Sequence, residues 1–145
     1  MTTETDTAEA AIRALVERRM QAVRDRDAEA AVADVADDVV TFDVVDPLLH
    51  RGRKAVRRRA ETWFSSFTGA VGFEMRDLAI TVSGETAFSH SLNRYSGATV
   101  NGPLGMWVRV TTGYRRIDGR WMITHEHGSV PFNPETGRPS LELEP

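Results

Sequence analysis

Near its C-terminus the chain carries two histidines on alternate residues, His125 and His127, in the run Trp121-Met122-Ile123-Thr124-His125-Glu126-His127. Histidine titrates near neutrality, so a buried one serves as a general acid or base, or simply as a hydrogen-bonded core residue. A carboxylate beside such a pair would complete a set able to move a proton alpha to a carbonyl or to assist loss of water. The candidates are Asp43 and Asp46, which flank Val44-Val45. Asp43 is expected within a strand, where removal from bulk water strengthens a carboxylate as a base. Asp46 stands before Pro47 and reads as a turn residue. Arg109, between Trp107 and Thr111 on one strand face, has the fork geometry to hold a carboxylate or enolate, or to form a structural ion pair. A His-x-His spacing on a strand is only a weak metal signal, and neither metal nor cofactor is expected.

Side chains two apart on a strand share a face. Trp121, Ile123, His125, His127 and Ser129 therefore fall together, opposite Met122, Thr124 and Glu126. The first set holds the large apolar groups, which predicts that it looks inward and takes both histidines with it. By the same reasoning Phe88, His90, Leu92 and Arg94 face inward, and the serines and alanines between them face out. Three of the four histidines are thus expected to converge on one interior region.

The elements that must position these groups are legible from periodicity. Ile12, Leu15, Val16, Met20 and Val23 recur at helical steps and predict a helix over 7–24, with Asp6 and Glu9 in the form of an N-terminal cap. A shorter alanine-rich helix is expected over 27–36, capped by Asp27. The β-branched run 39–45 reads as a strand ended by Asp46-Pro47. After Gly52 a third helix carries the stripe Val56, Ala60, Trp63, Phe64 and Phe67, whose first reading is core packing. Trp63 and Trp107 are also candidates for the wall of a substrate site. Long strands follow over 72–83, 85–96, 104–117 and 120–130, joined by the turn pairs Ser83-Gly84 and Asp118-Gly119 and by a looser 97–105 connection. Together these predict an α+β fold, a strongly curved, mostly antiparallel sheet with three helices on its concave face and a pocket at the open end of the cone. One domain over 1–145 is expected, with a flexible lead at 1–6 and an arm at 131–145.

Bulk composition narrows the function. With 145 residues, 41% hydrophobic and 27% charged, the chain has the size and balance of one globular domain. Its formal net charge of -3 argues against nucleic-acid binding. The basic cluster Arg51, Arg53, Lys54, Arg57, Arg58 and Arg59 reads as a solvated helix face before a phosphate patch. The absence of cysteine excludes disulfides, thiol catalysis and thiolate metal sites. The polar, acidic start is unlike a signal peptide, and no apolar run approaches the roughly 20 residues of a membrane span. A cytoplasmic location with no membrane partner is expected.

The segment from Asp118 to Phe132, above all Trp121-Met122-Ile123-Thr124-His125-Glu126-His127-Gly128-Ser129-Val130-Pro131-Phe132, resembles the SnoaL-like branch of the nuclear transport factor 2-like superfamily. The likeness extends through Phe42-Asp43-Val44-Val45-Asp46-Pro47, the aromatic helix after Gly52, and Trp107-Val108-Arg109-Val110-Thr111. It implies the cone-shaped fold inferred above. That fold hosts isomerases, dehydratases, cyclases and epoxide hydrolases as well as non-catalytic association domains. In its steroid isomerases an aspartate near the end of the first strand abstracts a proton. Asp43 matches its spacing to Gly52, and Asp46 its Asp-Pro pair. Their helical oxyanion tyrosine has no counterpart, since the only tyrosines are Tyr95 and Tyr114, both in strands. The Arg-x-Asp of the epoxide hydrolases becomes Arg109-x-Thr111. The aspartate and two histidines of scytalone dehydratase-like enzymes are echoed by Asp43, His90 and His125. Two functions follow as expectations. One is a cofactor-independent isomerase, dehydratase or cyclase acting on a small apolar carbonyl or hydroxyl compound through Asp43 or His125, with His127, His90 and Arg109 holding substrate. The other is a non-catalytic ligand-binding or oligomerisation domain. Either is expected as a homodimer through the outer sheet face, which would otherwise expose Val, Met and Trp side chains.

Overall fold

The first helix, α1 (Glu4–Arg24), starts earlier than its apolar periodicity suggests, because Thr3 caps it. In the computed structural model, which describes residues 1–145, the Thr3 hydroxyl accepts from the Asp6 amide at 3.0 Å and the Asp6 carboxylate accepts from the Thr3 amide at 3.1 Å. This reciprocal box satisfies two otherwise orphaned donors and shortens the polar lead to Met1–Thr3. Ala8, Ile12, Leu15 and Val16 bury the helix's inner face.

The second helix is shorter than expected. α2 spans Ala28–Ala31, capped by Asp27, whose carboxylate accepts from the Ala30 amide at 3.0 Å. The chain then enters β1 (Val35–Phe42), several residues before the predicted start. Val35, Ala36 and Val39 are all buried there, so tertiary packing overrides the helical propensity of the alanines. A two-residue strand, β2 (His50–Arg51), precedes α3 (Arg53–Ser65). The meander follows as β3 (Gly72–Ser83), β4 (Thr86–Thr99), β5 (Gly102–Ile117) and β6 (Arg120–Ser129). The C-terminal arm contains a small ribbon, β7 (Phe132–Asn133) with β8 (Arg138–Pro139).

Six strands form one sheet in the order β2-β1-β6-β5-β4-β3. Only β1 and β6 run parallel. The helices cover the concave face, and Ile12, Leu15, Val32, Val35, Val39 and Ile123 form the fully buried heart of the core. No helix is long and apolar enough to cross a membrane.

Strand pairing is irregular at three places: between β1 and β6, where Val35 faces Ile123 but Val40 faces His125, and at two bulges in the meander that bend the sheet. Between β3 and β4, Arg76 faces Leu92 but Ala79 faces His90, so β3 holds one extra residue, with Asp77 at φ 57°. Between β5 and β6, Tyr114 faces Ile123 but Gly113 faces His125, so Thr124 is the extra residue on β6. Each bulge deepens the curvature and reverses which residues face inward beyond it.

Candidate functional site

Between the concave sheet and the helices lies a cavity of about 340 Å³, lined mainly by apolar side chains. α3 contributes Val56, Arg59, Ala60, Trp63 and Phe64, a set spaced as one helix face. β5 contributes Leu104, Met106, Val108 and Val110, alternate residues of one strand. β1 and the segment after it supply Thr41 through Val45, and α1 supplies Arg19 and Val23. The aromatic stripe does not fill this space. Trp63 stacks edge-on against Phe67 and Tyr95, with centroids 5.1 and 5.3 Å apart, and forms a wall.

Two arginine–carboxylate pairs lie in that apolar surround. On the floor, Arg19 Nη1 donates to Glu126 Oε2 at 2.7 Å, and the Thr112 hydroxyl donates to the same oxygen at 3.0 Å. Burial alone would raise the Glu126 pKa, but the Arg19 charge and these hydrogen bonds hold it below the usual carboxylate range. Burial likewise opposes the Arg19 charge, and Glu126 more than restores it. Nearer the end of β1, Asp43 Oδ2 accepts from Arg59 Nε at 2.9 Å, and Asp43 Oδ1 from the Val44 amide at 2.6 Å.

A smaller chamber of about 70 Å³ continues toward the narrow end of the cone and shares Arg19, Glu126 and Tyr95 with the main cavity. Its lining is partly polar. Ser89 hydrogen-bonds the Tyr114 hydroxyl at 2.8 Å, Ser91 donates to Asn93 at 2.8 Å, and Asn93 Nδ2 donates to the Tyr95 hydroxyl at 3.2 Å. Because Asn93 occupies an acceptor site of Tyr95, the phenolic proton is left to donate elsewhere. Burial, with the Glu126 charge adding to it, pushes the Tyr95 pKa up to about 12, so the group stays a donor.

Residues 12–133 match the SnoaL-like domain. The chain belongs to the SnoaL-like family. A structure of an NTF2-like protein of unknown function from Pseudomonas putida KT2440 is 39% identical, with a TM-score of 0.88 over 96% of this chain and 97% of that one. A type 2 hexachlorocyclohexane dehydrochlorinase shares the fold at 18% identity and a TM-score of 0.74, over 84% of each chain. So does a candidate calcium/calmodulin-dependent protein kinase II association domain from Xanthomonas campestris, at 18% identity and 0.72 over 86% of each chain. The last two likenesses are of fold alone. No curated protein matches the chain in sequence.

Within this SnoaL-like domain the expected site residues separate into two groups. Asp43 and Trp63 line the cavity. Asp43 sits just beyond the last residue of β1 rather than inside the strand, and Asp46 is exposed in the following turn. His125, His127, His90, Arg109 and Trp107 do not line it. The bulge at Thr124 turns Glu126 and Gly128 toward the cavity and leaves His125 and His127 on the outer face, beside the half-exposed ring of Phe42. His125 Nδ1 donates to the Val40 carbonyl at 2.6 Å, an inter-strand anchor. On β4 the expected faces are likewise exchanged. Ser89, Ser91 and Asn93 are buried, because they hydrogen-bond one another and Tyr114 in the polar narrow end, and Phe88 and His90 are exposed. Arg109 Nε reaches Ser129 at 3.2 Å on the outside, and Trp107 lies under Arg76 there, 5.1 Å from its guanidinium. Three histidines do share a face, as alternation required, but it is the convex one.

Arg19, Thr41, Glu126, Arg59 and Tyr95 are the polar cavity residues that sequence reasoning missed. Arg59 alone had a visible signal, since it lies one helical step from Val56 and Trp63 on the aromatic stripe.

Proposed function

We propose that this SnoaL-like domain is a cofactor-independent enzyme that moves a proton on a small, largely apolar carbonyl or hydroxyl compound, as an isomerase or dehydratase does. One observation carries the reading: Asp43 and the free phenolic donor of Tyr95 line the same mainly apolar cavity. Asp43 is the base. Its carboxylate is fixed by Arg59 and by the Val44 amide, so it is oriented before substrate arrives. Tyr95 donates to the oxygen on which negative charge develops, in a setting with little water to compete. Glu126, saturated by Arg19 and Thr112, is a positioning residue that keeps the floor of the cone in shape.

Exchange of protons alpha to the carbonyl tests this directly. In D2O, the protein is expected to accelerate deuterium incorporation into members of a panel of small cyclic and aromatic ketones, followed by proton NMR. Asp43→Asn should lower that rate by roughly 10²–10⁴-fold, the usual worth of a positioned base, and Tyr95→Phe should lower it less. An exchange rate untouched by Asp43→Asn would sink the assignment.

A second reading is favoured by the engagement of both cavity carboxylates with arginines. In that reading the cone binds its ligand without chemistry, and the ketones bind with no exchange. Under either reading a second copy of the chain is proposed to cover the outer sheet face, where Phe42 and Phe88 stand exposed. Sedimentation as a monomer at micromolar concentration would remove that part.

A further inference from the structure

The two guanidinium groups of the cavity differ in what they have left to offer. Arg19 uses Nε on the Ala31 carbonyl at 3.3 Å and both terminal nitrogens on Glu126, at 2.7 and 3.5 Å. Arg59 uses only Nε, on Asp43, and its two terminal amino groups make no hydrogen bond. Neither is a sealed, orphaned atom, since the one buried polar side-chain atom without a partner in the protein is His50 Nε2. The open edge of Arg59 therefore remains accessible in a largely apolar cavity, with two parallel donors suited to a carboxylate.

The charge around this edge favours an anion. Within the cavity, Arg19 and Arg59 balance Glu126 and Asp43. Just outside, α3 begins with Arg53 and Lys54, has no acid in its first turn and no side-chain cap, so its positive end adds to its cations. Of the basic cluster, Arg53, Arg57 and Arg59 are paired to acids, and Arg51, Lys54 and Arg58 are not. Lys54 and Arg58 stand one helical step apart on the exposed side of α3, away from the cavity face of Val56 and Ala60, so they contribute to the general positive field of this helix and not to the cavity lining.

We infer that the compound taken by the cone is a small organic acid, whose carboxylate docks on the free edge of Arg59 and whose hydrocarbon body fills the apolar space between α3 and β5. The inference rests on the proposed function for the existence of a ligand, and it adds the ligand's charge and orientation.

Titration calorimetry with 4-phenylbutyrate, its amide and its alcohol tests the inference. The carboxylate is expected to bind about tenfold or more tightly than the amide, the scale of a charge-assisted hydrogen bond. Arg59→Gln should erase that preference and leave amide binding within about twofold. Asp43→Asn should strengthen carboxylate binding several-fold, because it frees the guanidinium and removes a neighbouring negative charge, and this second variant decides the matter if Arg59→Gln folds poorly. Equal binding of acid and amide to the wild-type protein, or a preference that survives Arg59→Gln, overturns the inference and leaves the proposed function standing. Failure of all three compounds to bind at millimolar concentration overturns the inference, and the ketone exchange then decides the proposed function by itself.

Discussion

The Arg19–Glu126 and Arg59–Asp43 pairs have the same chemistry and the same exposure, 25% for each arginine side chain and 28% for each carboxylate. Exposure therefore does not separate them. Hydrogen-bond saturation does. Glu126 receives Arg19 and Thr112 and ties α1 to β6 and β5, and Arg19 also reaches the last residue of α2. Asp43 and Arg59 join the end of β1 to one helix and leave two donors unspent. The first pair is built into the architecture of the cone, and the second is poised toward whatever enters it. An ion pair's role in a pocket is thus better read from its unused donors than from its depth.

The sharpest way to break that contrast is to remove the arginines one at a time. Arg19→Met strands Glu126 in the cavity and is expected to cost about 3 kcal/mol of stability, measured by urea unfolding. Arg59→Met leaves Asp43 still accepting from the Val44 amide, and should cost less, about 1 kcal/mol. Adding Glu126→Leu to Arg19→Met should recover most of the loss, since the stranded charge is gone. Equal costs for the two single variants would collapse the distinction.

Acid gives a weaker probe of the same pair. The folded state holds Glu126 below its ordinary pKa, so the unfolded chain takes up that proton first as pH falls. The stabilisation is complete above about pH 5 and is lost as pH drops through and below about 4. Asp34, clamped by Arg18 and Arg120 at 3.2 and 2.8 Å, is lowered in the same direction and adds to the slope. The urea midpoint should be flat from pH 5.5 to neutrality by about this reasoning and fall below it, with a shallower fall in Glu126→Gln. A slope unaltered in that variant would place the acid sensitivity with Asp34 instead.

What the sequence disclosed divides along the bulges. Element order, the α+β cone, the three helices and the four long strands were legible because periodicities of two and of three to four residues report backbone geometry directly. The bulge on β3 was legible too, in principle: Phe73 and Met75 alternate in one phase, and Leu78, Ile80 and Val82 in the other. The bulge on β6 had no such mark. Trp121 and Ile123 fix the phase of its first half, and His125 and His127 continue that phase as more plausible core residues than a glutamate. Only Arg19, more than a hundred positions away, makes an inward Glu126 tolerable. β4 misled for a related reason. Its serines and Asn93 look like a solvent face, yet they satisfy one another and Tyr114 inside the narrow end. Polar interiors are pairwise facts, and a single strand's pattern does not carry them.

The smallest expected effect tests the outer face against the inner one. His127 projects from the convex side, its ring 5.3 Å from that of Phe42 and away from the cavity. His127→Gln should therefore change stability by no more than about 0.5 kcal/mol and leave both ketone exchange and 4-phenylbutyrate binding unaltered. His125→Gln should cost somewhat more in stability, about 1 kcal/mol, because its ring anchors the Val40 carbonyl, but should be equally silent in binding. If either substitution lowers exchange by tenfold while urea unfolding shows an intact fold, the division between a convex structural face and a concave chemical one fails, and the histidines return to the site.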